Sequence, residues 1–383
     1  MHLQFGDACH DKLSIEERGA WPPPEAHLTT ACINRITTAV PPHDMHSAFI
    51  AFAESLLPDG TPRNLFRRMV RQSAINHRYS FLDLVVAADG SVYDADAFFV
   101  RGDLPSTARR MQAFEQFAPR LAQSALDKLA LSQEERRAIT HLIVTSCTGL
   151  YAPGLDYDIV AHLGLNPSVE RTFIGFMGCF AGINALKAAR HIIRSEPDAK
   201  VLLVSLELCS LHMQETTELE QLLAFLVFAD GCAAYLVSAE PTGLAIDSFL
   251  AVVLPDTNPL ITWRIGEKGF DMHLSGKVPG ELRRGLAAAG NQIAQGADIH
   301  SIDLWAVHPG GRTILDAVEQ GLELAPEALS DSRHILLNYG NMSSPSVVFV
   351  LERLMQNARP GQLGCAMSFG PGVTAETMLF HAL

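Results

Sequence analysis

From Ile33 onward the chain alternates short apolar, β-branched runs with longer stretches whose apolar positions recur every three or four places. His141–Cys147 (HLIVTSC) predicts a strand ending at a Thr-Gly turn. Arg171–Phe176 predicts a second strand, followed by Met177-Gly178-Cys179 and an apolar helix from Phe180 to about Arg194. Lys200–Leu206 (KVLLVSL) reads as a buried strand, and Cys232–Ser238 as another after the turn Ala229-Asp230-Gly231. Upstream, Arg63–Arg78 predicts a basic helix and Ser106–Lys128 a long amphipathic one. Asp303–His308 then predicts a strand ending at Pro309-Gly310-Gly311, and His334–Leu337 a short strand before Tyr339-Gly340-Asn341. A helix is expected over about Ser344–Gln356, with strands at Leu363–Ser368 and Thr374–Leu379.

The second series repeats the first. Cys179 to Val201 spans 22 positions, and so does Asn341 to Leu363; Cys147 to Cys179 spans 32, and His308 to Asn341 spans 33. Each series runs strand, glycine turn, polar residue, buried helix, buried strand. The pattern predicts an α/β fold of two halves packed as a pseudo-dimer, their buried helices back to back. Cys179 and Asn341 then occupy equivalent positions at helix N-termini. Strands of near-continuous apolar character suit sheets covered on both faces.

The 383 residues suffice for two domains or one two-lobed unit, and 48% hydrophobic against 19% charged content indicates a large packed core. A net charge of −13 argues against nucleic acid or an anionic membrane as partner, but leaves anionic small substrates open through a local basic patch. Met1–Trp21 carries both charge signs and no apolar core of a secretion signal, and no run of about 18 apolar residues predicts a membrane span. Residues 1 to about 35 are polar and Pro-rich, so a loosely held terminus is expected. Seven scattered cysteines (Cys9, Cys32, Cys147, Cys179, Cys209, Cys232, Cys365) without CxxC spacing fit a reduced, cytoplasmic protein with no metal site.

Three residues carry candidate chemistry. Cys179, between a strand and a helix, has its sulfur at a helix N-terminus, where unpaired N–H groups favour a thiolate. His308 ends a strand before two glycines that allow close approach. Asn341 lies in Gly340-Asn341-Met342-Ser343-Ser344. Singly, each has an ordinary alternative: an inert buried thiol, a satisfied core histidine, a helix cap. As a set they make a nucleophile that accepts an acyl group and two donors that stabilise oxyanion or enolate charge.

Val144–Asp156 (VTSCTGLYAPGLD), Gly178–Gly182 (GCFAG), Phe228–Gly231 (FADG), His308–Gly311 (HPGG), Gly340–Ser344 (GNMSS) and Phe369–Gly372 (FGPG), in this order, resemble the type III polyketide synthases, the chalcone-synthase-like group. The likeness runs from about Pro42 to the C-terminus. It implies a thiolase-type αβαβα five-layered sandwich, with a half over 1–240 bearing Cys179 and a half over 241–383 bearing His308 and Asn341. It also implies a homodimer that uses acyl-CoA and malonyl-CoA without a further cofactor. The starter would load on Cys179; His308 and Asn341 would hold the thioester carbonyl during decarboxylation and condensation, and His308 would favour the Cys179 thiolate as an ion pair. Phe228 matches a gatekeeping phenylalanine between the CoA tunnel and the cavity.

Carried over residue by residue, the cavity would also be lined by Cys147, Thr148, Cys209, His212, Trp263, Met272 and Ser343. Trp263 stands where plant members have glycine, so it should re-route or shorten the cavity; Met272 replaces a phenylalanine. Arg68 matches a CoA-phosphate contact, but Leu65 and Gln72 stand where lysines flank it, leaving Arg67 and Arg71 as substitutes. Ser368 replaces the glycine that commonly precedes Phe-Gly-Pro-Gly. Pro41-Pro42-His43-Asp44 and Glu207-Leu208-Cys209-Ser210-Leu211-His212 are closest to bacterial alkylresorcinol and alkylpyrone synthases, which implies a fatty acyl starter. Rival readings are a β-ketoacyl-carrier-protein synthase III-like enzyme, a cysteine hydrolase and a non-catalytic acyl-binding relative.

Overall fold

The computed structural model describes residues 29–88, 91–294 and 298–383. The polar start through residue 28, with Cys9, lies outside the described residues; order begins earlier than expected, because Ala31–Ala39 is already a strand, β1. The first half adds β2 (His141–Ser146), β3 (Glu170–Gly175), β4 (Val201–Leu208) and β5 (Asp230–Ser238). Its helices include α1 (Thr61–Gln72), α2 (Thr107–Lys128), α3 (Leu155–Leu163), α4 (Ala181–Ser195) and α5 (Leu219–Val227). The second half supplies β6 (Leu244–Val253), α6 (Val278–Ile293), β7 (Leu304–Val307), α7 (Arg312–Gly321), α8 (Ser330–Tyr339), α9 (Ser346–Asn357), β8 (Leu363–Gly370) and β9 (Thr374–Ala382). The strands join in the order β7-β8-β9-β6-β1-β5-β4-β2-β3. Between the halves the β1–β6 ladder is only three pairs long, from Ala31–Ile246 to Ile33–Leu244.

Alternation along the strands builds the layers. Val201 and Leu203 of β4 and Ala233, Tyr235 and Val237 of β5 join α4 and α9 in the central core. The intervening Leu202, Val204, Cys232, Ala234 and Leu236 face α2 and α3. In the second half Ala366, Met378 and Phe380 face the centre, while Cys365, Met367 and Trp305 face α6 and α7. The result is helix, sheet, helix, sheet, helix: the thiolase-type arrangement. α4 and α9 pack back to back because Gly182 has no side chain; a Cβ there would stand 2.7 Å from the Ser344 carbonyl oxygen.

Two predicted elements differ. The strand expected at His334–Leu337 is part of helix α8. Its buried positions, Ser332, Ile335 and Leu336, follow helical spacing, Asp331 sits in the first turn, and Gly340 ends the helix at φ +68°. The repeat therefore breaks here, since β3, its counterpart, is a true edge strand. The basic helix stops at Gln72 rather than Arg78, because the chain turns through Ala74 at φ +58°. That turn carries Arg78 into the core, fully buried, over the Phe49 ring at 4.6 Å.

Candidate active site

Cys179 lies two residues before α4, on a loop that only glycine permits. Gly178 adopts φ +86°, and a Cβ on it would stand 2.2 Å from Cδ of Pro371. Reciprocally, a Cβ on Gly370 would stand 2.7 Å from the Phe180 ring. The GCFAG and FGPG loops thus interlock, a glycine of each seating the ring of the other. The Gly178 N–H donates to Sγ of Cys147 at 3.1 Å, fixing the loop from its other side.

Asn341 enters the same space from the second half. Its backbone N–H donates to the Val227 carbonyl and its own carbonyl accepts from Ala229 N–H, both at 2.8 Å. These bonds clamp Phe228 beside Asn341, and Arg78 holds that segment by donating to the carbonyls of Phe225 and Phe228 at 2.7 Å each. The Ser343 N–H donates to Oδ1 of Asn341 at 2.8 Å, and Nδ2 donates to the Gly310 carbonyl at 3.2 Å. The amide is therefore oriented, with one N–H of Nδ2 still available. His308 follows β7, its backbone N–H donating to the Met367 carbonyl at 2.7 Å.

Cys179, His308 and Asn341 line one cavity of about 850 Å³, counting the space at its mouth. Every cavity residue expected from sequence lines it as well: Phe228, Cys147, Thr148, Cys209, His212, Trp263, Met272 and Ser343. Ile261, Leu274, Val278 and Ile314 complete an apolar wall, and the lining contains no Asp, Glu, Lys or Arg. Arg68 does not line the cavity; it lies on the exposed face of α1. Of the substitutes, Arg67 is engaged with Glu54 at 2.7 Å.

Trp263 and His212 shape one side. The Trp263 indole N–H donates to the Cys147 carbonyl at 2.8 Å. His212 Nε2 donates to the Thr148 carbonyl at 2.7 Å while Nδ1 accepts from Phe270 N–H at 3.0 Å, which fixes the neutral imidazole. The ring stacks on Phe270 at 4.0 Å and meets Trp263 edge-on. His212 is thus a structural strut behind the wall as well as part of it, and burial pushes its pKa down to about 3.

Glu207, not singled out from sequence, anchors the wall from behind. Fully buried, it accepts from Cys147 N–H (2.8 Å), Thr148 Oγ1 (2.7 Å), Ser146 Oγ (3.3 Å) and Ser344 Oγ (2.7 Å). Cys179 keeps part of its surface open to the cavity but is ringed by protein, and burial pushes its thiol up to about 12. The Ser343 hydroxyl pulls the other way and the Glu207 charge adds to the rise. Burial likewise pushes His308 down to about 3. Burial thus acts on each group toward its neutral form. Among the described residues no group of three His, Cys, Asp or Glu side chains is placed to hold a metal, and no helix is long and apolar enough to cross a membrane.

The profile of the chalcone and stilbene synthase N-terminal domain matches residues 30–241, and that of the C-terminal domain matches residues 245–383. The chain is 34% identical over 378 residues to the alpha-pyrone synthesis polyketide synthase-like Pks18 of Mycobacterium tuberculosis, covering 94% of this chain and 93% of that protein. It is also 34% identical to bisdemethoxycurcumin synthase of Oryza sativa subsp. japonica over 342 residues, 84% of this chain and 83% of the relative. The crystal structure of 1,3,6,8-tetrahydroxynaphthalene synthase from Streptomyces coelicolor superposes with a TM-score of 0.80 at 29% identity, covering 92% of this chain and 99% of that one. With both halves of the fold and the six motifs accounted for, the chain belongs to the chalcone and stilbene synthases, the type III polyketide synthases, enzymes of decarboxylating Claisen condensation.

Proposed function

We propose that this enzyme extends a fatty acyl-CoA starter with malonyl-CoA on Cys179 and releases an alkylpyrone or alkylresorcinol. The observation that carries the reading is a thiol, an imidazole and an oriented amide N–H sharing one cavity walled by Ile261, Trp263, Met272, Leu274 and Val278. In loading, the Cys179 sulfur takes the acyl group and the thiol proton leaves with the departing CoA thiol. Malonyl-CoA then places its thioester carbonyl against His308 Nε2–H and the free N–H of Asn341. Loss of carbon dioxide leaves an enolate whose charge those two donors share. Its carbon attacks the Cys179 thioester, forming the new carbon–carbon bond and releasing the Cys179 sulfur. An apolar surround raises the energy of the malonyl carboxylate more than that of the diffuse enolate, which assists decarboxylation.

An aliphatic starter fits the uncharged lining, and a pyrone product is supported by the relative named for alpha-pyrone synthesis. For the CoA phosphates we favour Arg68 and Arg71, which lie exposed on α1 without an acidic partner among the described residues; α1 packs on α5, the helix leading to Phe228. No further cofactor enters these steps. A cytoplasmic homodimer is part of the proposal: β3 is the bare edge of the sheet, with Phe173 and nearby Met177 and Leu150 exposed, and a second copy would pair with it.

Mass spectrometry of products from a panel of acyl-CoA starters with malonyl-CoA tests the reading, with no carrier protein present. Pyrones or resorcinols from long-chain starters are expected. A single condensation that needs a carrier protein would favour the synthase III alternative, and products without a new carbon–carbon bond would favour hydrolysis. Cys179→Ala should abolish condensation, while His308→Ala and Asn341→Asp should remove malonyl-CoA decarboxylation; ordinary decarboxylation in the latter pair would refute the donor roles.

A further inference from the structure

Among the described residues, three buried polar atoms without a protein hydrogen-bond partner belong to neighbouring elements: Nδ1 of His308, Oγ of Ser368 and Oδ1 of Asn184. Strand register and one side-chain hydrogen bond link the elements that carry them. On β7, Trp305 and Val307 face the outer helices and Ala306 the central layer, so His308, one residue further on, faces the centre. On β8, Met367 and Phe369 face outward and Ala366 inward, so Ser368 also faces the centre. Val307 pairs with Met367 in parallel register, and the His308 N–H continues that ladder. His308 and Ser368 therefore stand side by side on one face, their strands roughly 4.8 Å apart. One strand further, Ser368 pairs with Glu376 of β9, whose carboxylate accepts from Asn184 Nδ2 at 3.0 Å and from Lys187 Nζ at 2.5 Å. Asn184 and Lys187 belong to α4, the helix that follows Cys179.

The chemistry of the three atoms is complementary. With Nε2 carrying the proton, Nδ1 of His308 is an acceptor; Oδ1 of Asn184 is an acceptor; the Ser368 hydroxyl can donate. One water accepting from Ser368 and donating to both others would satisfy all three, within the two to four partners a buried water ordinarily makes. Protonating Nδ1 instead would set a donor against a water hydrogen already committed.

We infer that Ser368 is a positioning residue for His308: with Asn184 it holds a buried water against Nδ1 and so fixes the imidazole as the Nε2–H tautomer, the form that can donate into the cavity. A glycine, common at this place in the family, supplies no hydroxyl, so the device belongs to this chain's own sequence. The catalytic part of the inference rests on the donor role of His308 proposed above; the tautomer itself does not.

The test is ¹⁵N NMR of selectively histidine-labelled full-length protein, with His308→Gln assigning the signals, alongside malonyl-CoA decarboxylation kinetics. In the wild type His308 should be neutral with Nδ1 unprotonated. In Ser368→Ala its two nitrogen signals should move toward a tautomer mixture while the other histidines stay in place, and kcat should fall about tenfold with KM unchanged, as for one lost positioning hydrogen bond. Ser368→Thr, which keeps the hydroxyl, should restore both. A protonated Nδ1 in the wild type overturns the inference without any variant, as does an unchanged His308 spectrum in Ser368→Ala. If the wild type lacks decarboxylase activity, the proposed function fails, while the spectra still decide the role of Ser368.

Discussion

Replacing Gly178 by alanine tests whether the interlock of two glycine loops positions the nucleophile. Two costs are separable. The first is backbone: an L-residue held at φ +86° is strained by about 1–2 kcal/mol. The second is contact: the new Cβ would sit 2.2 Å from Pro371 Cδ and 2.9 Å from Cγ, well inside an ordinary carbon–carbon contact of about 3.5–4 Å. Pro371 is a cyclic side chain fixed to its backbone, so relief requires the FGPG loop or the Cys179 loop to shift by about 1 Å. Overpacking of this kind adds about 1–3 kcal/mol, and an ångström of misplacement of a reacting group costs about 100-fold in rate. Gly164 is the control. It ends α3 at φ +60° and its Cβ would meet nothing within 4 Å, so Gly164→Ala carries the backbone cost alone. Denaturant unfolding and malonyl-CoA turnover of both variants are the assays. Gly178→Ala should be the less stable by about 1–3 kcal/mol and should lose about two orders of magnitude in kcat, whereas Gly164→Ala keeps its turnover. Equal stabilities and equal turnover in the two variants would refute the interlock.

Three further outcomes follow from the site. Trp263→Gly should lengthen the products seen by mass spectrometry and cost about 1–3 kcal/mol in unfolding free energy, since it removes a half-buried ring and the bond to the Cys147 carbonyl; an unchanged product profile would exclude Trp263 as a wall. Because the Cys179 thiol is raised to about 12, its thiolate fraction grows with pH, so alkylation by iodoacetamide, followed at the Cys179 peptide, should speed up about tenfold per pH unit from 7 to 9. A rate already level at pH 7 would show a resting thiolate. Arg68→Ala with Arg71→Ala should raise KM for acyl-CoA about three- to tenfold at unchanged kcat, and leave KM for an N-acetylcysteamine thioester, which lacks the CoA phosphates, where it was; equal effects on both substrates would remove α1 from CoA binding.

Most of the sheet was legible because its strands are apolar on both faces, as in KVLLVSL, and because glycine turns punctuate them. The cavity was legible through motifs, each of which turns out to be one side of a physical contact, GCFAG against FGPG and FADG against GNMSS. Helix α8 was misread because HILL is too short a run to show its period; the deciding features, Asp331 and the left-handed Gly340, flank it. Glu207 gave little signal because its donors arrive from Ser146, Cys147, Thr148 and Ser344, and the last is 137 positions away. The same holds for the arrangement proposed around His308, since Ser368 and Asn184 are brought toward it only through two β-ladders and one helix.

The asymmetry between the two ends of the sheet has an architectural consequence. At one end β7 is largely buried, with α8 and α9 packed on it; at the other, β3 has most of its residues in solvent and, among the described residues, no strand beyond it. In the pair proposed above, two copies meeting at this margin about a twofold axis would each cover the other's β3, and a contact that uses the same surface on both partners is closed rather than head-to-tail, so it does not propagate into a fibre.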